Sequence, residues 1–599
     1  MKKMKLRGLT PAASYVSSAE QNPPKQNFFC IHPQANARGV LRRRITDFIK
    51  KKRWETAVFL AYIIISSYFL FPLLKDIRHT LIPGDGLFTS WTIGWDIHSI
   101  LHDPLNLFNA NIFYPHKNTL AYSEILLPPA LLGLPVYLLT GSLLFTHNTL
   151  ILFSFILSAW GAYLLARHYT KNHYASFIAG LIYGFATYKF ANLGHFQNLV
   201  TFWIPFSVLY LQKYLDTFKR KYLIISALFF IAQMLSSWNN GTFLAFFLVF
   251  VLAVNYRPIW ENFKKIARDS IIPAILTIVL ILPFAAPYIK INLENNFKYS
   301  LEESRQSSAD LGGYIVPLPG TNMAKLVTDR LGIEKKHWAE NMLFLGYFSI
   351  LLIGYYLLFV RKKIGDKNFK IYLAGIPLFM LLSFGPYLNF IAPLKNFPLP
   401  YYFLYKIFHL GFIRTPSQLA IVVLLCTAVS VAFILNSFRI KNRVAKYLLG
   451  ILVPAFILFE FYTPGLEAGT LKNVTCPAIY AEIGKREDVK AIVELPAATD
   501  STTNLPYVFF STCHWKPIFN GFSGFFPKKY SNHTKKMNKF PEDESLDFMK
   551  DLEISHVVLH LANLEENKQK PLLEAVEQNN KLEIEYYSDK DYLVALDQD

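Results

Sequence analysis

The stretch ETAVFLAYIIISSYFLFPLL, residues 55–74, decides the fold class, because one acidic residue is followed by a long, mostly apolar run. A helix needs about 20 mostly apolar residues to cross a bilayer. The chain before it is polar and ends in Arg42-Arg43-Arg44 and Lys50-Lys51-Lys52-Arg53. Basic residues beside a span favour the cytoplasmic side. We therefore predict a cytoplasmic basic leader at residues 1–53 and a first membrane span directly after it.

The composition extends this prediction to the whole chain. Of its 599 residues, 52% are hydrophobic and 17% are charged, and the mean hydropathy is +0.25. The net charge of +19 is uneven, since residues 462–599 carry 15 Lys and Arg against 22 Asp and Glu. The excess of basic residues lies earlier, in short loops between apolar runs, as expected of cytoplasmic loops. Membrane topology explains the charge, so no nucleic-acid partner is predicted.

Further apolar runs predict about eleven membrane spans within residues 54–462. Residues 125–145 are apolar but contain three prolines, and we interpret them as a surface-lying or re-entrant helix pair, with a full span as the alternative. If they do not cross, every basic cluster between later spans falls on the cytoplasmic side. This choice predicts a multi-pass protein of the cell inner (cytoplasmic) membrane, with the N-terminus in the cytoplasm and the C-terminal region outside.

The predicted outer face collects the unusual sequence. It includes a long first loop, residues 75–147, and a tail, residues 463–599, whose pattern changes to mixed α/β. In the tail, VKAIVELPA and ISHVVLHLA resemble buried strands, FPEDESLDFMKDLE an amphipathic helix and KLEIEYYSDKDYLVALD a hairpin. We predict a small extracytoplasmic α/β domain there. A disulfide between Cys476 and Cys513 is open at this stage.

Polar residues at the outer ends of the spans are the candidates for chemistry. Asp85 lies between two glycines in PGDG, which suits either a turn or a catalytic acid. The other candidates for substrate binding are Glu124, His195, Gln197, Glu340, Lys395 and Arg414. Structural alternatives exist for them: an interfacial histidine, a helix-capping acid at Glu340 or an arginine reaching lipid headgroups at Arg414. No metal-ligand spacing such as CxxC is present, so no metal ligand is predicted.

A resemblance adds to these observations. One span, a long outer loop that opens with a lone Asp, many later spans and an outer C-terminal domain together resemble the GT-C glycosyltransferases. The stretches GDGLFTSW (84–91), GLIYGFATYKFANLGHFQNL (180–199) and CHWKPIFNGFSGFFP (513–527) resemble uncharacterised bacterial membrane proteins of the YfhO-like and PTPS-related families. The resemblance implies an enzyme that takes a sugar from a polyprenyl-phosphate carrier, with Asp85 as general base. GT-C enzymes often have a second acid in the next outer loop, where this chain has His195 and Gln197.

The functional hypothesis is therefore sugar transfer from a polyprenyl-phosphate-linked donor to a glycan, lipid or protein acceptor at the outer membrane face. Arg414 is the candidate cation for the departing phosphate, with Lys395 as the second choice. No cofactor is predicted, and a divalent metal stays open. The alternatives are a transporter or flippase of lipid-linked glycans, and a polymerase or ligase that uses such glycans.

Overall fold

The computed structural model describes residues 52–331, 341–360, 364–388, 396–464 and 469–597. The chain divides into two compact units, Met1–Thr56 and Ala57–Asp599. Of the first unit only residues 52–56 are described, and they are helical. The predicted leader, residues 1–53, therefore lies almost entirely outside the described residues. Everything below concerns the second unit.

Helices dominate the second unit as far as residue 462. Residues 57–69 are helical. The α-helices after them are Phe71–Leu74, Asp85–His102, Leu127–Thr140, Leu143–Thr170, His173–Phe185, Thr187–Ala191, Phe196–Leu199, Trp203–Thr217, Arg220–Ser236, Trp238–Val254, Tyr256–Glu261, Phe263–Asn295, Leu301–Gln306, Leu311–Ile315, Asn322–Leu326, Thr328–Leu331, Tyr347–Tyr355, Lys367–Ser383, Pro400–Phe408, Ala420–Ser437 and Arg443–Phe461. Short 3-10 turns occur at Pro104–Asn106, Thr119–Tyr122 and Pro416–Leu419, and a π-helical turn at Tyr356–Val360.

Four helices of the described residues are long and apolar enough to cross a membrane: Leu143–Thr170, Phe263–Asn295, Pro416–Ser437 and Arg443–Phe461. All four lie within residues 54–462, where membrane spans are predicted. Other helices of this region are shorter or interrupted. The helix His173–Phe185, for example, ends where Ala186 takes an extended ψ of 146°. The mainly helical architecture agrees with the prediction, whereas the number of eleven spans stays a prediction.

Residues 125–145 form one helix, Leu127–Thr140, rather than the predicted pair. Gly141 ends this helix with a left-handed φ of +61°, and Ser142 caps the next helix by accepting a hydrogen bond from the Phe145 N–H. At about 1.5 Å per residue a helix of this length reaches about 21 Å, short of the ~30 Å apolar thickness of a bilayer. Its length therefore fits the predicted non-spanning segment.

Small residues allow the helices Leu143–Thr170 and His173–Phe185 to pack closely. A Cβ atom on Gly180 would lie 2.6 Å from the Ala159 carbonyl oxygen, and one on Gly184 would lie 2.5 Å from the Ala159 Cβ. Larger side chains at these glycines would force the helix His173–Phe185 away from the helix Leu143–Thr170. This close packing fixes the start of the loop at residues 186–200, which carries two of the predicted site residues.

The C-terminal region forms a small mixed sheet, as predicted. Its strands are β1 (Ile492–Leu495), β2 (His556–His560), β3 (Leu582–Ser588) and β4 (Asp591–Leu596), in the order β1-β2-β4-β3. Strands β1 and β2 are parallel and fully buried, and β3 and β4 form the predicted hairpin.

Helices and a disulfide complete this C-terminal region. The helices are Ala478–Lys485, Ser501–Phe510, Tyr530–Met537, Asp543–Asp551 and Glu566–Glu577, with 3-10 turns at Ser511–Cys513 and Leu561–Asn563. The helix Asp543–Asp551 lies within the segment predicted as an amphipathic helix. Cys476 and Cys513 form a disulfide, which answers the question that the sequence left open.

Candidate active site

Asp85 begins the helix Asp85–His102, immediately after Gly84. The backbone of Gly84 has a conformation that residues with a side chain rarely adopt. Gly84 has a left-handed φ of +67°, with no atom within 4 Å of where its Cβ would lie. Gly86, in contrast, is buried, and a Cβ there would lie 3.0 Å from the Ile82 Cβ. Gly86 therefore makes room for packing against Ile82.

His195 reaches Asp85 from the loop at residues 186–200. The His195 Nδ1 lies 2.8 Å from the Asp85 Oδ2, with side chains 29% and 40% exposed. The loop is held internally, because Lys189 Nζ donates to the Leu199 carbonyl at 2.8 Å and Asn198 Nδ2 donates to Asn192 Oδ1 at 2.9 Å. Both side-chain interactions are buried, so the loop presents His195 in one position.

The environment of Asp85 keeps its carboxyl ionised. Partial burial raises the pKa of Asp85. The hydrogen bond from His195, together with the positive charges of His195 and Arg414, outweighs burial and holds the pKa below its ordinary value. Within the described residues the His195 Nε2 has no hydrogen-bond partner. The pair therefore combines an accessible carboxylate with a ring nitrogen left over for a ligand.

The Glu124 side chain contacts the N-terminal end of the helix Trp238–Val254. Its Oε1 accepts hydrogen bonds from the Ser237 hydroxyl at 3.0 Å and from the Asn239 N–H at 3.2 Å. Burial raises the pKa of Glu124 to about 7, although these hydrogen bonds act in the opposite direction. The Tyr288 hydroxyl fixes the backbone on both sides of Glu124 by donating to the Ser123 carbonyl and accepting from the Ile125 N–H.

One cavity of about 600 Å³ brings most of the predicted site residues together. Asp85, Glu124, His195, Gln197 and Arg414 all line it. They come from separate stretches of the chain, so their convergence reflects the tertiary fold rather than local sequence. Glu340 and Lys395, the remaining two predicted residues, lie outside the described residues.

The cavity also contains polar residues that the sequence did not single out. Gln418 is 7% exposed, and its Oε1 lacks a hydrogen-bond partner, as does the Oε1 of Gln197. Unpartnered buried carbonyl oxygens are uncommon in folded proteins, and in a cavity they are available to a ligand. Gln418 lies in the 3-10 turn Pro416–Leu419, four residues after Arg414 in FIRTPSQL. No local pattern in the sequence marks it as a cavity residue.

Aromatic side chains form much of the remaining wall. The cavity is also lined by Phe88, Tyr122, Trp238, Tyr288, Phe297, Tyr299, Phe412, Phe522 and Phe525. The last two belong to the C-terminal region, which therefore contributes directly to the cavity. The sequence did not single out Phe522 and Phe525, since nothing local to residues 522–525 predicts a contact with residue 88.

Acidic residues and histidines also meet elsewhere. In the described residues, Asp488, His556 and Glu585 on the C-terminal sheet lie close enough together to hold a metal ion. Arg486 already contacts Asp488 and Glu585, each at 2.8 Å. A guanidinium between two carboxylates occupies the position that a cation would need, so this group is an ion-pair cluster.

No protein-family model and no curated protein matches the chain. Solved structures are similar to it at low sequence identity. ArnT from Cupriavidus metallidurans bound to undecaprenyl phosphate is 10% identical, with a TM-score of 0.47, over 91% of this chain and 98% of that one. The Archaeoglobus fulgidus oligosaccharyltransferase is 12% identical, with a TM-score of 0.45, over 85% and 70%.

A third similar structure is the mycobacterial arabinofuranosyltransferase AftD. It is 13% identical, with a TM-score of 0.48, and the match covers 91% of this chain but only 41% of AftD. Two of these three structures are named as sugar-transferring enzymes, an oligosaccharyltransferase and an arabinofuranosyltransferase.

Proposed function

We propose that the Asp85 cavity transfers a sugar from a polyprenyl-phosphate-linked donor to an acceptor hydroxyl or amide at the outer face of the membrane. The observation that carries the proposal is the convergence of Asp85, His195 and Arg414 on one cavity. Transfer from a phosphate carrier requires a base that takes the proton of the acceptor and a cation that stabilises the departing phosphate. Side chains suited to both roles line this one cavity. The domain limits 54–462 and 463–599 are part of this proposal.

In the proposed reaction Asp85 is the general base. An acceptor hydroxyl gives its proton to the Asp85 carboxylate while its oxygen forms a bond to the anomeric carbon of the sugar. The bond between that carbon and the phosphate oxygen breaks, and the electron pair leaves with the lipid phosphate. The lowered pKa of Asp85 supports this role in one respect, since the carboxylate is ionised and able to accept a proton at neutral pH.

Arg414 is the proposed partner of the departing phosphate. Its side chain is exposed, and its positive charge already influences Asp85, Tyr299 and Glu303. Arg414 precedes the helix Ala420–Ser437, which is almost entirely buried. A cation held at the end of a buried helix is well placed to stabilise charge that develops during the reaction.

The donor's lipid tail is proposed to leave the cavity beside the helix Phe263–Asn295. Ile289 on this helix lines the cavity and is also 54% exposed, and Phe412, which lines the same cavity, is 44% exposed. Almost none of the most apolar part of this helix is buried, so an apolar surface adjoins Ile289 at the cavity edge. A prenyl chain is soluble only in such surroundings.

Release of free polyprenyl phosphate tests the proposal even when the acceptor has not been identified. The full chain in nanodiscs is incubated with a panel of polyprenyl-phosphate-linked sugars and a membrane extract as acceptor source, and the freed lipid phosphate is measured by mass spectrometry. Asp85→Asn keeps the shape of the residue but loses its basicity, so release should fall by about 10²–10⁴-fold.

The matched control is Asp103→Asn. Asp103 is exposed at the other end of the same helix, and its Oδ2 accepts a hydrogen bond from Asn106 Nδ2 at 2.7 Å. This variant should retain activity. Full activity in well-folded Asp85→Asn protein would contradict the role of Asp85. A transporter or flippase would move the donor without breaking the sugar–phosphate bond, and would therefore give no release with the wild type.

A further inference from the structure

A short loop of the C-terminal region, Gly521–Phe526, enters the Asp85 cavity, and we name it the aromatic finger. Four of its residues, Phe522, Ser523, Gly524 and Phe525, line the cavity wall. The finger lies far from Asp85 in sequence, and it belongs to a region whose own sheet is formed elsewhere. Contacts of the finger itself therefore hold it in the cavity.

The finger is fixed at both of its ends. Phe525 stacks on Phe297, with ring centroids 4.6 Å apart and an interplanar angle of 5°, and on Tyr299 at 4.8 Å. At the other end the Gly521 N–H donates to the Tyr530 hydroxyl at 3.1 Å. A Cβ on Gly521 would lie 2.5 Å from the Phe113 ring, so only glycine fits there. The ends are therefore structural anchors.

The middle of the finger has a different character. Ser523 is 5% exposed and lines the cavity, and within the described residues its hydroxyl makes no hydrogen bond. Phe522 packs edge-on to Phe88, three residues after Asp85, with centroids 6.3 Å apart. The Ser523 hydroxyl is therefore available to a ligand or to water in the cavity. The middle of the finger places an aromatic ring and a hydroxyl beside each other on one cavity wall.

We propose that the aromatic finger is a binding subsite for a neutral sugar ring on the acceptor. One face of a sugar ring presents C–H groups that pack against an aromatic ring, here Phe522, and its hydroxyls need hydroxyl or amide partners, here Ser523 and Gln418. Residues 521–526 carry no charge, which favours a neutral ligand over an acidic one. Among glycan, lipid and protein acceptors, the finger therefore selects a glycan.

The assignment of this sugar to the acceptor rests on the proposed function, but sugar binding itself can be tested without transfer. The probes are methyl glycosides of glucose, galactose, mannose and N-acetylglucosamine, with the blocked peptide Asn-Ala-Thr as the competing class. Binding to the full chain in nanodiscs is measured by saturation-transfer NMR. The variants are Ser523→Ala, Phe522→Leu and, as a control on the exposed face of β3, Tyr587→Phe; Tyr587 is 69% exposed.

We expect at least one glycoside to bind the wild type and Tyr587→Phe alike, and to bind Ser523→Ala and Phe522→Leu at least about fivefold more weakly. Absence of glycoside binding to the wild type, binding of the peptide alone, or binding to both finger variants as strong as to the wild type would overturn the proposal. Glycoside binding that survives in an Asp85→Asn protein with undiminished transfer would instead contradict the proposed function and leave the subsite standing.

Discussion

Two regions of this protein bring a histidine and carboxylates together, and they differ in what surrounds the pair. In the cavity, Asp85 and His195 are 40% and 29% exposed, and one ring nitrogen of His195 has no partner in the described residues. In the C-terminal sheet, His560 is 8% exposed and both its ring nitrogens contact carboxylates, Asp591 at 2.8 Å and Glu494 at 3.0 Å.

The contrast separates a candidate reaction site from a structural network. Residue type alone does not distinguish the two, because each contains the same kinds of side chain. In the enclosed network both ring nitrogens of His560 already contact carboxylates, so neither is left for a ligand. The open pair has an adjoining cavity and an unused nitrogen. Losses at the first should therefore appear as instability, and losses at the second as inactivity.

The largest effect should come from the open pair. Asp85→Asn and His195→Gln should each lower the release of polyprenyl phosphate by about 10²–10⁴-fold, and the double variant should be no worse than the more damaging single one. When two residues act as one unit, either substitution alone already removes the function of the unit, so the second one adds little. Losses that multiply in the double variant would show that the two side chains act independently, and would break the comparison.

The enclosed network should respond in stability instead. His560→Leu leaves the fully buried Glu494 and the partly exposed Asp591 without their cation, which should lower the free energy of unfolding by about 3–5 kcal/mol. Heat denaturation of the full chain in detergent measures this change, with the exposed His102→Leu as control. A denaturation midpoint equal to wild type would show that the network contributes little to stability.

The pH dependence of the same network gives a second, smaller test. Burial lowers the pKa of His560, but its hydrogen bonds to Asp591 and Glu494 and the charges of these carboxylates outweigh burial and raise the pKa to about 9. A histidine with a raised folded-state pKa stabilises fully below its ordinary value of 6.5, and this stabilisation is lost as pH rises through 9. Wild-type stability should therefore fall between about pH 7 and pH 10, and His560→Leu should show less of this fall.

Glu124 offers a test in the opposite sense. Burial raises its pKa from 4.5 to about 7, so the folded protein must ionise a disfavoured carboxyl above neutral pH. Glu124→Gln should therefore raise the free energy of unfolding by about 3 kcal/mol at pH 8 and by about 1 kcal/mol at pH 5. Lower stability of the variant at pH 8 would mean that the ionised carboxylate is favoured in the folded state.

The sequence predicted those features that follow from pattern and topology. Strands β1 and β2 appear as short apolar runs, and the β3–β4 hairpin follows from alternation in KLEIEYYSDKDYLVALD. Asp85, His195 and Arg414 could be grouped because predicted span ends on one membrane face must meet. The sequence pattern could not determine contacts between distant segments.

Two examples show what was missed. The aromatic finger reaches the cavity through stacking with Phe297 and Tyr299, which no periodicity in residues 521–526 encodes. The helix His173–Phe185 ends at the extended backbone of Ala186, although alanine is a strong helix former. In both cases tertiary packing decided the outcome, and local propensity carried no signal.

The most direct test of the central claim is a cryo-EM structure of the full chain with a polyprenyl monophosphate such as undecaprenyl phosphate. The account predicts the phosphate in the cavity beside Arg414, facing Asp85 and His195, with the prenyl chain leaving along Ile289 and the helix Phe263–Asn295. A phosphate bound outside this cavity, with Asp85 remote from it, would contradict the account.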